Sequence, residues 1–361
     1  IYYNKDGAGW TVIPATSGGI AGSDAGGGVK EWQWNPVTDL ITEDLQIKVE
    51  DDSNTNVSGV SAVTNKVIGK LTVDAPNTST AYFIGDTIPI SWDKTGPVGT
   101  LTIEYSPKGD FTDTVGIATL QPSGSDGVNN YGGTWFAPST VSEVNKVRIR
   151  TETLSAPLTL TDDSDVAFQI RPMLTQVTLP AASTVWNYNT TQTIRWEATS
   201  GLTEDGLTYP KVKIEYFKGA AGPFGIATNI DSVQGTNDYV WNPVPDEKHE
   251  SVKVRVSYEE YSTINNESGI FSIRPVVTVT DLKTDGAYSN GLQAGTTYNS
   301  IIKWNVTGTQ VNFVKIYYDD DGSGTFAGVV DATGLVAAGA GITGINWTVP
   351  TGINFRTDVK I

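Results

Sequence analysis

Oxygen-bearing side chains at alternate positions could bind calcium in one short segment of this 361-residue sequence. Asp319, Asp321 and Ser323 lie within the run DDDGSGT, and Ca²⁺ binds about six to eight oxygen ligands. The glutamate that closes an EF-hand loop is replaced here by Val330. Glycine and aspartate also suit a hairpin turn. Two interpretations therefore stay open, a hairpin turn, which we favour, and a calcium loop.

A second acidic group recurs between the last two predicted strands of each repeat. In one repeat it consists of Asp162, Asp163 and Asp165, and its counterparts are Glu50–Asp52 and Glu259–Glu260 with Glu267. Clustered carboxylates near a domain boundary could bind Ca²⁺. A solvated acidic loop explains the same residues, and we favour it. No cofactor is required by the sequence, and Ca²⁺ is the single metal that we consider.

Catalytic side chains are scarce in this chain. The single histidine, His249, lies in a polar segment predicted as a loop, and no cysteine is present. A Ser-His-Asp triad would have to use His249, and nothing near it resembles a nucleophile turn. We expect the outward-facing acids Glu104 and Glu215 to form ion pairs with cations on the neighbouring strand (Arg148, Lys253 or Arg255). The sequence therefore predicts that this chain is not an enzyme.

Exposed aromatic side chains could bind sugars, as an alternative to covering sandwich edges and domain boundaries. We favour the covering role for the candidates, which are Tyr82, Trp186, Tyr258, Tyr261 and Tyr288.

An internal repeat must position all of these residues. The stretch Ile88–Ser106 returns as Ile194–Phe217 and as Ile301–Tyr318. Each copy contains two runs in which apolar and polar residues alternate, which is typical of half-buried strands. Two tryptophan series mark the same period of about one hundred residues. The first series is Trp92, Trp196 and Trp304, and the second series is Trp34, Trp135, Trp241 and Trp347.

The repeat predicts four consecutive domains. Residues 74–172 and 173–275 form complete domains, 1–73 lacks its first strands, and 276–361 lacks its last strand. We expect either that the segment belongs to a longer polypeptide, which we favour, or that neighbouring molecules donate the missing strands. Each complete domain should hold seven short strands. The predicted fold class is all-β, with tandem immunoglobulin-like or fibronectin III-like sandwiches arranged end to end.

Composition excludes several classes of partner. With 40 acidic and 24 basic residues the formal net charge is −16, which disfavours nucleic acid. No apolar run is long enough to predict membrane insertion in this segment. The absence of cysteine excludes disulfides without placing the protein in the cytosol.

Short proline-bearing links join the predicted domains. Pro172 and Pro275 each lie directly before the next predicted strand. Proline fixes its own φ and restricts the residue before it, so these links should be stiff. We therefore expect neighbouring domains to hold a fixed relation, as in an extended rod.

The third repeat carries, in order, Trp186, Asn189, IRW, KVKIEY, GIAT, YVWNPVP, VKVRVS and SGIFSIRP. This pattern resembles the Ig-like repeat of the Ser/Thr-rich, lipid-anchored cell-wall protein family, which is also found in tandem in large bacterial surface proteins. The resemblance covers residues 74–275 best. It implies an extracellular location at the cell surface or cell wall, and no catalytic activity.

Two hypotheses follow for the function. In the first, the chain is part of an extracellular structural protein, a surface filament, stalk, sheath or adhesin shaft that self-associates into a homo-oligomer or polymer. In the second, the repeats are carbohydrate-binding or spacer modules attached to an enzyme elsewhere on the chain, with cell-surface glycans as partners.

Overall fold

The computed structural model describes residues 1–14, 23–26, 29–35, 37, 40–154, 158–281, 291–319, 323–326, 328–330, 336–338 and 344–352. Every regular element within these ranges is a β-strand. No helix in this part of the chain has the length and apolar character to cross a membrane. The predicted all-β class is confirmed.

Repeat 1 contributes one sheet and one hairpin. Its strands are β1 (Tyr2–Lys5), β2 (Trp10–Val12), β3 (Ser23–Gly26), β4 (Val29–Glu31), β5 (Thr42–Glu50), β6 (Ser58–Val60) and β7 (Asn65–Val67). The sheet has the order β2-β1-β5-β6, β7 also pairs with β5, and β3 pairs with β4.

Repeat 2 forms two facing sheets. Its strands are β8 (Lys70–Ala75), β9 (Ala81–Phe83), β10 (Ser91–Thr95), β11 (Thr100–Ser106), β12 (Val115–Pro122), β13 (Gly127–Asn130), β14 (Ser142–Thr151), β15 (Thr161–Asp163) and β16 (Phe168–Arg171). One sheet has the order β13-β10-β8, and the other has the order β12-β11-β14-β16-β9 with β15 paired to β14.

Repeat 3 has the same arrangement. Its strands are β17 (Met173–Leu179), β18 (Val185–Asn187), β19 (Gln192–Thr199), β20 (Lys211–Lys218), β21 (Ala221–Asp231), β22 (Gly235–Trp241), β23 (His249–Tyr258), β24 (Asn265–Glu267) and β25 (Phe271–Arg274). The sheets have the orders β17-β19-β22 and β18-β25-β23-β20-β21, with β24 paired to β23. All seven predicted strands of this repeat are present. The short strands β18 and β24 were not predicted, because three residues are too few to show an alternating pattern.

Repeat 4 is described in part. Its strands are β26 (Val276–Asp281), β27 (Thr297–Thr307), β28 (Phe313–Val314), β29 (Tyr317–Tyr318), β30 (Gly328–Val329), β31 (Val336–Ala337) and β32 (Ile345–Thr348). A three-stranded sheet has the order β26-β27-β32. Two further strand pairs, β28-β31 and β29-β30, come from the part of the sequence between β27 and β32.

Alternation along the central strands produces the sandwich cores. In β20, Val212 and Ile214 are fully buried, whereas Lys211, Lys213 and Glu215 keep partial contact with solvent. Successive side chains leave opposite faces of a strand, so one face of each sheet packs inward. Two sheets in this strand order, antiparallel except for the parallel pairs β9–β16 and β18–β25, form an immunoglobulin-like or fibronectin III-like sandwich.

The first tryptophan series lies at the centre of each core. Trp92, Trp196 and Trp304 are at most 2% exposed. Each indole nitrogen donates a hydrogen bond to a residue that lies 31 to 36 positions later in the chain. The acceptors are the Ser123 carbonyl at 2.9 Å, the Ser232 hydroxyl at 3.3 Å and the Ala338 carbonyl at 3.0 Å.

The second tryptophan series packs against tyrosine in every repeat. Each second-series ring lies beside a tyrosine of the strand that follows the first-series position, and in repeats 2, 3 and 4 it packs in the same apolar core as the first-series ring. The ring centroids are separated by 5.3 Å in Tyr3–Trp34, 5.2 Å in Tyr105–Trp135, 5.3 Å in Tyr216–Trp241 and 5.6 Å in Tyr318–Trp347. Such aromatic pairs add about 0.5–1.5 kcal/mol beyond the area that they bury.

Cα distances divide the chain into two compact units. The first contains Ile1–Met173 and Ser200–Tyr209, and the second contains Leu174–Thr199 and Pro210–Ile361. Among the residues that the structure describes, apolar cores form in repeats 2, 3 and 4.

Strands β12 and β21 each contain a bulge at the same position of the repeat, and a glutamate binds the backbone of each bulge. Leu120 and Asn229 occupy equivalent positions just after the shared sequence GIAT, with φ of 53° and 58°. Their backbone N–H groups donate to Glu152 at 3.0 Å and to Glu259 at 2.6 Å. Asparagine tolerates this left-handed conformation better than leucine does.

Exchanging the two side chains should therefore change the stability of the two repeats in opposite directions. Leu120 is 70% exposed and has little packing to lose, so Leu120→Asn should stabilise repeat 2 by about 0.5–1 kcal/mol. Asn229→Leu should destabilise repeat 3 by a similar amount. The free energy of opening, measured by native-state hydrogen exchange of core amides in each repeat, checks both changes. Unchanged exchange in both variants would contradict this interpretation of the bulge.

Candidate functional site

Asp162 and Asp163 lie on a strand and not in the predicted loop. They belong to β15, where Asp163 is paired with Arg148 and Asp162 with Ile149. Adjacent residues of a strand point to opposite faces. Asp163 accepts two hydrogen bonds from the Arg148 guanidinium, at 2.6 and 2.9 Å, and Asp162 accepts one from the Val73 N–H at 2.7 Å. The two carboxylates therefore bind different partners.

Asp165 is exposed, and its partner differs from those of Asp162 and Asp163. The Asn77 side-chain amide donates a hydrogen bond to Asp165 Oδ2 at 3.3 Å. Within the described ranges, no three histidine, cysteine, aspartate or glutamate side chains are grouped so that they could hold a metal ion. The structure thus does not bring Asp162, Asp163 and Asp165 together as a ligand set.

The Asp319 turn is partly described. Asp319 is 1% exposed, and its Oδ2 accepts a hydrogen bond from the Gly324 N–H at 2.9 Å. The Ser323 hydroxyl accepts one from the Thr325 N–H at 3.1 Å. These contacts fit the turn that we favour, and Asp321 lies outside the described residues. Calcium binding at this turn stays a prediction.

The outward-facing acids form ion pairs, as expected, although one partner differs. Glu104 contacts Arg150 at 3.3 Å and not Arg148, because Arg148 is held by Asp163. Glu215 contacts Arg255 at 3.0 Å and Lys213 at 3.2 Å. Burial raises the pKa of Glu215, but the hydrogen bonds from Arg255 and Lys213 outweigh it and hold that pKa below its usual value. A carboxylate in this setting stays ionised and is unsuited to act as a general acid.

His249 is the first residue of β23, so its assignment to a loop was wrong. It pairs with Ile273 across the sheet, and its Nδ1 accepts a hydrogen bond from the Ser251 N–H at 3.0 Å. Alternation of polar and apolar residues starts only after His249, which is why the sequence pattern did not include it in the strand.

The candidate sugar-binding aromatics are mostly packed inside the sandwich. Trp186 is 5% exposed and Tyr258 is fully buried. Tyr82 and Tyr261 are half-buried and pack against the cores of their repeats. Tyr288 lies outside the described residues. Trp186 and Tyr258 therefore cannot offer a flat face to a sugar.

A different constellation recurs between neighbouring repeats, which we call the repeat joint. It consists of the loop after a second-series tryptophan and the loop after the first-series tryptophan of the next repeat. No periodic pattern in the sequence predicts it, because its residues differ from one joint to the next.

At the joint between repeats 1 and 2, in the first unit, the contact is apolar. Ile41, Val98 and Leu160 surround Gly69 so closely that a Cβ there would lie 2.8 Å from Val98 and 2.9 Å from Ile41. Ile41 and Val98 are at most 6% exposed. Burial of Ile41 in the core of repeat 2 ties the two repeats together.

The next joint uses the backbone, and all its residues again belong to the first unit. The Val141 N–H donates to the Leu202 carbonyl at 2.9 Å, and Val141 forms a parallel bridge with Thr203. A Cβ on Gly201 would lie 1.6 Å from the Ser139 carbonyl oxygen. Only glycine allows this approach.

The third joint, in the second unit, uses a carboxylate. Asp246 Oδ2 accepts hydrogen bonds from the Thr309 N–H and from the Thr309 hydroxyl, both at 2.7 Å. The adjacent Gly308 has a φ of 104° and lies against Asp246, Tyr188 and Pro275. The location of the joint is thus the same in three places, while its chemistry differs each time.

No family model and no curated protein sequence matches the chain, so the resemblance to the cell-wall protein family stays a prediction. Solved structures with similar folds are fibronectin(III)-like modules of CbhA from Clostridium thermocellum (14% identical, 56% of this chain and 95% of that chain, TM-score 0.19) and a titin tandem of Ig domains (11%, 58% and 99%, TM-score 0.29). A third is the three N-terminal domains of the highly immunogenic outer capsid protein of bacteriophage RB49 (15%, 71% and 78%, TM-score 0.22). The fold assignment itself rests on the sheet order described above.

A single methyl group should open the second joint. In Gly201→Ala the Cβ collides with the Ser139 backbone, which has no side-chain freedom to give way, so the loop must leave Val141 at a cost of about 1–3 kcal/mol. Faster hydrogen exchange of the Val141 amide is the expected result.

Gly116→Ala is the matched control, since a Cβ at that position meets nothing within 4 Å. The role of Gly201 would be refuted if the Val141 amide exchanged equally slowly in the Gly201 variant and in the control.

Proposed function

We propose that this chain is a segment of an extracellular structural repeat protein, part of a surface filament, stalk, sheath or adhesin shaft whose copies associate with one another. The repeat joint is the observation that carries this proposal. Three successive joints use the same two loops, which is what a chain needs if it is to place many equal domains in a regular series.

The distribution of polar groups supports the same function. Three acidic residues of the predicted clusters bind groups of their own repeats: Asp163 binds Arg148, Asp162 accepts a hydrogen bond from the Val73 N–H, and Glu259 accepts one from the bulged strand β21. The four described sugar-binding candidates fill the cores of their repeats or pack against them; these are Tyr82, Trp186, Tyr258 and Tyr261. Side chains that could do chemistry are thus used for structure, so the proposal includes no catalysis.

The alternative function is a carbohydrate-binding or spacer module attached to an enzyme elsewhere on the chain. Burial of Trp186 and Tyr258 removes two of its five candidate sugar contacts. The repeat joints are compatible with a spacer as well as with a structural protein. The two functions differ in whether the protein forms ordered polymers.

Electron microscopy of the native material distinguishes these functions. The proposed function predicts ordered polymers with a longitudinal repeat. Isolated short particles that bind glycans would refute it and favour the alternative. Immunolabelling with an antibody against the 361-residue chain is the control that assigns the observed particles to this protein.

A further inference from the structure

Six asparagines of the chain lie in the sequence Asn-X-Ser/Thr, which is the acceptor sequence for N-linked glycans. They are Asn56, Asn77, Asn189, Asn266, Asn305 and Asn346. In a chain rich in asparagine and threonine several such sequences arise by chance, so the fold must separate usable acceptors from the others. A usable acceptor has an exposed side-chain amide that the fold does not already hold.

Most of the six asparagines fail this requirement. The side-chain amides of Asn77 and Asn266 donate hydrogen bonds to backbone carbonyls at 3.2 and 3.1 Å. Asn346 Oδ1 accepts a hydrogen bond from the Ser300 N–H at 2.9 Å. Asn305 is exposed but lies within the eleven-residue strand β27, whereas acceptor sequences belong in surface loops.

Asn189 lies in an exposed turn directly after β18, and its side chain forms no hydrogen bond with any described residue. Two backbone hydrogen bonds fix the turn. The Asn189 N–H donates to the Val244 carbonyl at 3.1 Å, and the Val244 N–H donates to the Thr190 carbonyl at 3.0 Å. The equivalent residue of repeat 2 is Gly85, which has a φ of 90°. The turn therefore does not itself require asparagine.

A groove of about 270 Å³ is lined by residues just before and just after this turn. Its polar groups come from Thr184, Thr191, Gln192 and Thr193, and Trp186 contributes to its apolar wall. Hydroxyl and amide groups can both donate and accept hydrogen bonds, as sugar hydroxyls require.

Asn56 is also exposed, in a turn of repeat 1. The groove beside Asn189 is the observation that makes Asn189 the site we choose.

We propose that Asn189 carries an N-linked oligosaccharide whose first sugar lies in this groove. The transfer forms a bond from Asn189 Nδ2 to the anomeric carbon of the sugar. It breaks the bond between that carbon and the phosphate of a lipid-diphosphate donor, the lipid diphosphate leaves, and the amide loses one proton. The inference rests on the extracellular location in the proposed function, because acceptor sequences are used in secreted chains.

Mass spectrometry of peptides from the native material tests the site. The peptide that contains Asn189 should be heavier by the mass of an oligosaccharide, whereas Asn77, Asn266 and Asn346 should be unmodified. An unmodified Asn189 in the native chain would refute the inference.

Two variants at Thr191, produced in the source organism, are matched to each other. Thr191→Ser keeps the hydroxyl that the acceptor sequence requires, so the glycan should remain. Thr191→Val has nearly the same shape without the hydroxyl, so the glycan should be lost. Equal melting temperatures of the two variants verify that both are folded. A glycan that persists in Thr191→Val would contradict attachment through the acceptor sequence.

Nuclear magnetic resonance of the glycosylated chain tests the groove. Nuclear Overhauser contacts are expected between the first sugar and the methyl groups of Thr184 or Thr193, and their absence would refute the groove contact.

The outcomes separate this inference from the proposed function. An unmodified native chain refutes the glycan and leaves the structural function to microscopy. Isolated particles in microscopy, together with a glycan at Asn189, refute the polymer and confirm the glycan.

Discussion

A buried indole N–H must find an acceptor, and this requirement determines how each sandwich closes. Leaving such a donor unsatisfied costs about 1–3 kcal/mol. Trp92 belongs to one sheet, and its acceptor, Ser123, follows the edge strand β12 of the other sheet. Trp196 makes the equivalent bond to Ser232, just after β21. One side chain thus fills the core of each repeat and holds the end of the opposite edge strand.

The surface of each repeat can vary once its core is held in this way. The three joints use the same two loops, yet their contacts are a cluster around Gly69, a backbone bond to Val141 and the carboxylate of Asp246. The three joints thus share the position of the contact and not its chemistry. Regular spacing along a repeat chain needs only the position, which is why we connect the joints with a structural function.

The fold followed from the sequence because alternation and tryptophan spacing are local signals. Seven strands of repeat 3 were predicted, whereas His249 was left outside β23 because a polar residue at a strand end looks like a loop. The acidic residues were harder to interpret. Asp162 and Asp163 point to opposite faces of a three-residue strand that no pattern reveals. The joints could not be predicted, since Gly201 and Ser139 meet only in the folded chain.

Hydrogen exchange of the tryptophan indole N–H groups in the native chain tests the central claim most directly. If these bonds close each sandwich, the indole hydrogens of Trp92 and Trp196 should exchange as slowly as the core amides of their repeats, through cooperative opening alone. Trp10, whose side chain is 38% exposed, provides the fast reference in the same molecule. Exchange of the Trp92 and Trp196 indoles at the rate of Trp10 would contradict the account.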